Sequence, residues 1–176
     1  ELHEVTFDTK FVGPLNVKKD GASYTMNFPS RPGEKVEISD IPEFVLDAVS
    51  PVKPAEAYKA RDLMLVYGDK QAVLDIKPDF NTLLKYKDFI IVTAKDDGKY
   101  DFISRFFCAD DAITEDPVTG SAHCTSAPYW ANKLAKNEML AYQASKRGGE
   151  LSLKSEGDRL LITGDAVTVI KGEIIL

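Results

Sequence analysis

A single long helical segment among many strand-like runs constrains the fold of this chain more than any other feature. The segment Ser121 to Lys136 is the one long stretch with helical character, whereas most runs before and after it alternate apolar and polar residues, as half-buried strands do. The strands do not alternate with long helices, so a doubly wound parallel sheet is disfavoured. We therefore predict an α+β fold.

The first two turns of this helical segment consist almost entirely of small residues. Residues 120–127 read GSAHCTSA, and the bulky Tyr129 and Trp130 come only later. Small side chains allow the backbone of neighbouring strands to approach the helix closely, and such an approach is required if strands surround the helix. Pro128 predicts a kink inside the helix. The pattern thus favours strands wrapped around a central helix.

Turn signals mark several other elements. The Asp-Gly pair at 20–21, between two alternating runs, indicates a hairpin, and the turn at 156–158 indicates a second one. The Ser-Asp pair at 39–40, followed by Pro42, predicts an N-cap and the first turn of a short helix. The closing run, residues 166–176, is strand-like.

Charge and composition exclude several classes of function. The formal net charge of −6 argues against nucleic-acid binding, which requires a basic face, and the single RGG at 147–149 lies inside strand-like sequence. Cys108 and Cys124 do not make a disulfide framework. With two histidines and no Cys-x-x-Cys pair, a structural zinc site is not expected. The longest apolar runs are too short to cross a membrane, and no signal-peptide pattern opens the chain. We expect a cytoplasmic protein that binds neither nucleic acid nor membranes.

The acid-rich segment before the long helix carries the clearest chemical signal. Residues 110–123 read DDAITEDPVTGSAH, in which four carboxylates precede a Gly-Ser helix start. A helix N-terminus offers unpaired N–H groups and a partial positive charge, which suit a carboxylate or phosphate ligand. Gly120 lets such a ligand reach the backbone, and the hydroxyls of Thr119 and Ser121 add donors. Upstream, Arg105 is interpreted as part of a structural ion pair, with a ligand contact as the alternative.

Structural explanations compete with a chemical role for these residues. Asp116 and Pro117 match an N-cap and a first-turn proline. Asp110, Asp111 and Glu115 lack the alternate spacing and the closing acid of a calcium loop, and a solvated acidic loop is the simpler interpretation for the first two. His123 and Cys124 point about 100° apart on a helix, which excludes a facing dyad. Cys124 fits a small core residue. His123 either hydrogen-bonds in a pocket or holds the helix start, and both interpretations stay open.

The nine residues 115–123, EDPVTGSAH, resemble the signature of the PhzF (phenazine biosynthesis-like) family. Residues 105–107 (RFF) and 166–173 (AVTVIKGE) match the same family pattern, and the similarity runs from the hairpin at 20–21 to the end of the chain. The fold of the family is similar to that of diaminopimelate epimerase. In that fold two like domains each wrap strands around a central helix, and the substrate lies in the cleft between them.

The resemblance implies a reaction and a set of site residues. Asp116 is expected to be the catalytic acidic residue of this part of the protein. Substrate binding is expected from Thr119, Gly120, Ser121 and His123. The reaction class is the abstraction and return of a proton on a small organic acid, without metal or coenzyme, so we expect no cofactor. The best-known member isomerises a dihydro-hydroxyanthranilate on the route to phenazines.

Two motifs of the family are absent from this sequence. The main acid/base glutamate of the family lies in a Ser-Glu-x-x-Phe segment, and a Gly-His-Ala-Thr helix start supplies a histidine; neither occurs in the 176 residues. A general acid/base contributes about 10²–10⁴-fold to rate, so we expect the chain alone to be nearly inert. We interpret it as the C-terminal two-thirds of a family member, completed by a missing N-terminal half or by a partner polypeptide, and we expect a homodimer.

The resemblance also predicts a division into domains. Residues 1–35 are expected to be the remnant of an N-terminal epimerase-like domain, and residues 36–163 the complete C-terminal one. Residues 164–176 are expected to form a strand that returns to the N-terminal domain.

Two other functions stay open at this stage. An amino-acid racemase or epimerase uses the same scaffold, and a pair of facing cysteines would favour it. A non-catalytic ligand-binding or oligomerisation module would be favoured if no acid/base residue stood opposite Asp116. One fold and one helix start can serve several reactions, so the substrate and pathway do not follow from the sequence.

Overall fold

A computed structural model of the chain describes residues 3–108, 110 and 112–173. Within these residues the chain forms eleven strands and four α-helices. The strands are β1 (Glu4–Thr9), β2 (Gly13–Asp20), β3 (Ser23–Pro29), β4 (Glu34–Val36), β5 (Glu56–Lys59), β6 (Leu63–Val66), β7 (Ile90–Lys95), β8 (Phe102–Phe107), β9 (Glu138–Gln143), β10 (Gly149–Glu156) and β11 (Arg159–Asp165). The helices are α1 (Glu43–Val49), α2 (Lys70–Leu74), α3 (Phe80–Leu83) and α4 (Gly120–Leu134). None of these described helices is both long and apolar enough to cross a membrane.

All these strands belong to one mixed sheet, in the order β1-β2-β3-β11-β10-β9-β8-β7-β6-β5-β4. Neighbouring strands are antiparallel, except for the parallel pairs β6–β7 and β8–β9. The two predicted hairpins are confirmed, between β2 and β3 and between β10 and β11. Gly21 and Gly157 occupy their turns with φ of 61° and 68°, a left-handed conformation that glycine adopts without strain. The pairing of β3 with β11 joins the first three strands to the rest.

The middle of the sheet is buried on both faces. In β6, Leu63 and Leu65 point into a hydrophobic cluster that contains residues of α1, α2 and α3. Met64 and Val66 point to the opposite face, into the cluster around α4. A strand covered on both faces needs apolar residues at successive positions, which explains the unbroken apolar run in this part of the sequence.

The helix α4 is the centre of the second cluster. Side chains from eight strands, β3 and β5 to β11, pack into that cluster. Strands therefore surround this helix, while the architecture as a whole is one large mixed sheet with few helices. A single sheet runs through residues 1–35 and 36–163 as far as they are described, so their division into a remnant and a complete domain stays a prediction.

Pro128 lies inside α4, and the helix continues through it. A proline has no N–H to offer to the carbonyl four residues earlier, which is that of Cys124. That carbonyl instead accepts the backbone N–H of Arg31 at 2.8 Å. The segment that follows β3 thus docks on the helix at the carbonyl that the proline leaves free.

Two local predictions are wrong. Among residues 166–176, the described residues 166–173 form no strand and are exposed, and 174–176 lie outside the described residues. Alternation in the sequence cannot supply the neighbouring strand edge that a ladder requires. The Ser-Asp pair at 39–40 lies in a short 3₁₀ turn, and α1 begins at Glu43 with Pro42 as its N-cap. A residue before a proline is disfavoured in the helical region, and Ile41 is extended, so the helix cannot begin earlier.

Candidate active site

The segment that follows β8 folds back along that strand and brings Asp116 to the start of α4. The N–H of Asp116 donates to the carbonyl of Phe106 at 3.1 Å. Glu115, one residue earlier, forms a β-bridge with Phe107. These backbone contacts hold the partly buried Asp116 against a buried strand rather than on a free loop.

Thr119 is the N-cap residue of α4, but its side chain does not cap the helix. Its Oγ1 instead donates to Asp116 Oδ2 at 2.6 Å. The first N–H groups of α4 therefore lack the N-cap acceptor, and the partial positive charge of the helix start stays available to an anion. The structural alternative, with Asp116 as the N-cap and Pro117 in the first turn, is wrong because the helix begins only at Gly120.

Gln143 holds the turn between Asp116 and Thr119, a role that sequence analysis missed. At the end of β9, its Oε1 accepts the Thr119 N–H at 2.7 Å and its Nε2 donates to the Asp116 carbonyl at 2.6 Å. The side chain is fully buried, so these bonds satisfy groups that water cannot reach. A signal was present: Met139, Ala141 and Gln143 alternate along β9 and share its buried face.

His123 lies beneath the same turn and is fully buried. Its Nδ1 lies 2.8 Å from the carbonyl oxygen of Thr119, which can only accept, so Nδ1 carries the proton. Its Nε2 lies 3.4 Å from the hydroxyl of Ser104. Burial lowers the pKa of His123 to about 4, which keeps the ring neutral near pH 7. These contacts favour the interpretation that His123 holds the helix start, since the ring has no exposed surface to offer a substrate.

Ser121, in the first turn of α4, contacts a cation that the sequence analysis did not single out. Arg61, sixty residues earlier, donates from Nη2 to Ser121 Oγ at 3.0 Å. The same guanidinium makes two hydrogen bonds to Asp62, at 2.8 and 2.6 Å, and lies over the ring of Phe89. The side chain of Asp62 is almost fully buried, so it anchors the guanidinium. Because the Ser121 oxygen accepts this bond, its own proton is free to be donated elsewhere.

Gly120 is not required by packing within the described chain. A Cβ at this position would contact Phe28, Ile162 and Met26 at 3.8 to 3.9 Å, which are ordinary van der Waals distances. Its backbone does not have a positive φ either. Neither space nor backbone conformation in this structure therefore explains the glycine.

Arg105 pairs with Glu115 of the acid-rich segment, which confirms the predicted structural ion pair. Its Nε and Nη2 bind the two carboxylate oxygens at 2.8 and 3.1 Å, and both side chains are largely buried. Its Nη1 also donates to the carbonyls of Ile76 and Val73, at 2.7 and 3.3 Å, at the C-terminal end of α2. Arg105 thus ties the acid-rich segment to β8 and to α2.

The remaining candidate ligands form no reactive cluster in the part of the chain that the structure describes. Burial raises the pKa of the Cys124 thiol to about 11, and Cys124 is a core residue, as predicted. Burial and the charge of Asp116 raise the pKa of Cys108. Asp110 accepts a local backbone N–H, and Asp111 lies outside the described residues. Among the described side chains, no group of three or more His, Cys, Asp or Glu is placed to hold a metal ion.

Comparison with known proteins decides the family. The model of the PhzC-PhzF family, described as phenazine biosynthesis-like protein, matches residues 5–172. The chain belongs to this family. An uncharacterized isomerase of Halalkalibacterium halodurans is 42% identical over 176 residues, which cover 98% of this chain and 64% of the relative. An uncharacterized isomerase of Pseudomonas aeruginosa is 39% identical over 170 residues, which cover 93% of this chain and 62% of the relative.

Solved structures of the PhzF family have a similar fold. A PhzF-family protein of Enterococcus faecalis is 37% identical, with a TM-score of 0.85, and the match covers 99% of this chain and 66% of that one. A predicted epimerase of Pseudomonas aeruginosa, 15% identical with a TM-score of 0.60, is similar in fold alone. This PhzF-family chain thus spans between 62% and 64% of the length of the two curated relatives.

Proposed function

We propose that this PhzF-family chain is part of an isomerase that takes a proton from a small carboxylate-bearing metabolite and returns it, without a cofactor. The observation that carries the proposal is the position of Asp116 beside an uncapped helix start. Its carboxylate can take or give a proton, and the N–H groups of the first turn of α4 suit the carboxylate of a substrate. The isomerase names of the curated relatives support the same class of reaction.

In this proposal the helix start binds the substrate. Ser121, whose oxygen accepts from Arg61, donates its own proton to a carboxylate oxygen of the substrate. Arg61 adds a positive charge beside Ser121, at the start of α4. Gly120 keeps the approach to the backbone N–H groups open, an assignment supported by the absence of any packing need for glycine among the described residues.

The residues beneath the helix start position the catalytic group. Thr119 orients the Asp116 carboxylate through its hydroxyl. Gln143 and His123 hold the backbone of Thr119 from opposite ends of the residue, at its N–H and at its carbonyl. A carboxylate held in one geometry loses little entropy when it reacts, which is how positioning contributes to rate.

We further propose that the main acid/base group lies outside these 176 residues. The glutamate and histidine motifs of the family do not occur in the sequence. Either a preceding half of the same polypeptide or a partner polypeptide supplies them, across a cleft from Asp116. In this view residues 1–35 and 164–176 belong to an N-terminal epimerase-like domain and residues 36–163 form a complete α+β domain. The active protein is a cytoplasmic homodimer.

Exchange with solvent tests the proposal. The protein is isolated from its own cells, so that any further segment or partner polypeptide is kept, and is incubated in D₂O with an extract of small carboxylic acids. A proton returned by the enzyme comes from solvent, so the substrate or its isomer gains deuterium. We expect Asp116→Asn to lower the labelling rate by about 10²–10⁴-fold. The exposed Asp47→Asn serves as the matched control and leaves the rate unchanged.

Three other outcomes would redirect the assignment. Labelling at an unchanged rate in Asp116→Asn would show that Asp116 takes no part in the proton transfer. Binding of an acid without any labelling would indicate a non-catalytic ligand-binding module. Labelling that accompanies inversion of an amino-acid stereocentre would indicate a racemase. The N-terminal sequence and intact mass of the same preparation show whether a further segment or a partner polypeptide carries the glutamate and histidine motifs.

A further inference from the structure

A surface cleft lies against the turn that carries Asp116. Its volume is about 560 Å³, and it is open to solvent. It is lined by Thr114, Glu115, Pro117, Ser145, Lys146 and Arg147. Asp116, Gly120 and Ser121 are not among the lining residues, so this cleft is separate from the helix start of α4. Its volume lies within the range of small-molecule sites, about 300–1,000 Å³.

The charge of this cleft is positive. Lys146 and Arg147 are exposed, and neither forms a hydrogen bond or an ion pair with another described residue. Glu115 is the one carboxylate among the described lining residues, and Arg105 already binds both of its oxygens. In a chain with a formal net charge of −6, two adjacent cations that have no partner among the described residues create a local positive potential that attracts anions.

The donors of the cleft suit an oxyanion. The guanidinium of Arg147 offers the planar fork that pairs with a carboxylate or a phosphate, and Lys146 adds a point charge. The hydroxyl of Thr114 has no described partner and can donate as well. The hydroxyl of Ser145 is already used, because it donates to the carbonyl of Pro117 at 2.8 Å.

The loop that carries these cations is fixed to the Asp116 turn. The bond from Ser145 to Pro117 ends on the residue next to Asp116. Gly149 packs so closely on the same turn that a Cβ there would lie 2.3 Å from Cγ2 of Val118. Closely packed segments transmit small displacements to one another, so a ligand that shifts the loop 145–149 also shifts the turn.

We propose that this cleft is a second ligand site, which binds a small organic anion through Lys146, Arg147 and Thr114. Binding of the anion also shifts the turn that carries Asp116. The ligand bears a carboxylate or a phosphate group. The site goes beyond the isomerase proposal and does not depend on it, because it requires binding alone and no bond is made or broken.

Calorimetric titration of the complete protein with inorganic phosphate and, separately, with citrate measures the binding. Hydrogen exchange with mass spectrometry then shows where each anion binds. We expect saturable binding, protection of 145–149 and a smaller change at 112–119. The variant Lys146→Gln/Arg147→Gln is expected to bind at least about tenfold more weakly. The matched control Lys85→Gln/Lys87→Gln also removes two exposed positive charges, from outside the cleft, and keeps the affinity within about twofold.

Each possible result either supports or overturns the second ligand site. Binding of phosphate alone supports a phosphorylated ligand, and binding of citrate alone supports a polycarboxylate. Equal losses of affinity in the two double variants would show that only general charge attraction acts on the anion, which would overturn the site. Protection confined to the start of α4, or no saturable binding of either anion, would overturn it as well.

Discussion

Gln143 and Thr119 are joined by two hydrogen bonds, although 24 residues separate them in the sequence. Oε1 of Gln143 accepts the Thr119 N–H at 2.7 Å, and Nε2 donates to Thr119 Oγ1 at 3.1 Å. The same threonine donates its hydroxyl to Asp116 and accepts from His123 at its carbonyl. Every polar atom of Thr119 is thus engaged, and the orientation of the Asp116 carboxylate depends on a buried network rather than on a surface loop.

Removal of the Gln143 amide is expected to destabilise the protein. The variant Gln143→Ala leaves the Thr119 N–H and the Asp116 carbonyl buried without a partner, and it opens a cavity. We expect a loss of about 2–4 kcal/mol in the free energy of unfolding, measured in urea. Gln71 is the matched control, because its bond to Asp75 lies on the surface and Gln71→Ala is expected to cost less than about 0.5 kcal/mol. Equal losses in the two variants would contradict the buried network.

The buried His123 predicts a stability that falls in mild acid. Its pKa is about 4 when folded, against an ordinary value of 6.5. Between these two pH values the unfolded chain binds a proton that the folded chain does not bind, so the free energy of unfolding decreases as the pH falls from about 6.5 to 4. The decrease in the free energy of unfolding that His123 causes reaches about 3 kcal/mol near pH 4 and vanishes above about pH 6.5.

The variant His123→Asn isolates this effect, because an asparagine amide can still donate to the Thr119 carbonyl but does not titrate. Urea unfolding at about pH 7 and about pH 4.5 is compared for the two proteins. We expect a smaller decrease in the variant, since the two proteins differ in no other titratable group. Equal decreases would show that His123 is not the titrating group.

The close approach of Gly149 to Val118 predicts a strong coupling between the two positions. The variant Gly149→Ala forces its new methyl group against the valine and is expected to cost about 1–3 kcal/mol. In the double variant with Val118→Ala the overlap is relieved, so we expect a coupling energy of about 0.5–3 kcal/mol in a double-mutant cycle. Gly68→Ala is the control, because a Cβ there would contact no atom within 4 Å. An additive double variant would contradict the packing of this loop on the turn.

Removal of the Arg61 guanidinium tests whether this cation contributes to substrate binding at the start of α4. With the substrate identified by deuterium labelling, we expect Arg61→Gln to raise KM by about tenfold with little change in kcat, because a charge that binds the carboxylate acts on ground state and transition state alike. Arg61→Lys keeps the charge and is expected to restore part of the binding. A loss in kcat at unchanged KM would instead assign Arg61 to the chemical step. Because the buried Asp62 loses its partner, the unfolding of each variant is measured in parallel.

The sequence was sufficient for features that depend on neighbouring residues. Asp-Gly and Gly-containing turns predicted both hairpins, and the long helix was predicted within two residues of its observed bounds, Gly120 to Leu134. The run 115–123 indicated both the PhzF family and the candidate active site. The N-cap interpretations failed at 39–40 and at Asp116, because the exact first residue of a helix depends on competing local bonds that composition does not resolve.

The sequence by itself determined the long helix, both hairpins, the family and the position of Asp116 beside a helix start, because periodicity and turn chemistry act over a few residues. Only the tertiary structure decided which side chains support that aspartate. Gln143 and Arg61 reach the helix start from β9 and from the segment before β6, across 24 and 60 residues of sequence. The order of the strands in the sheet brings these residues together, and that order results from burying both faces of the sheet, a global condition that no local pattern contains.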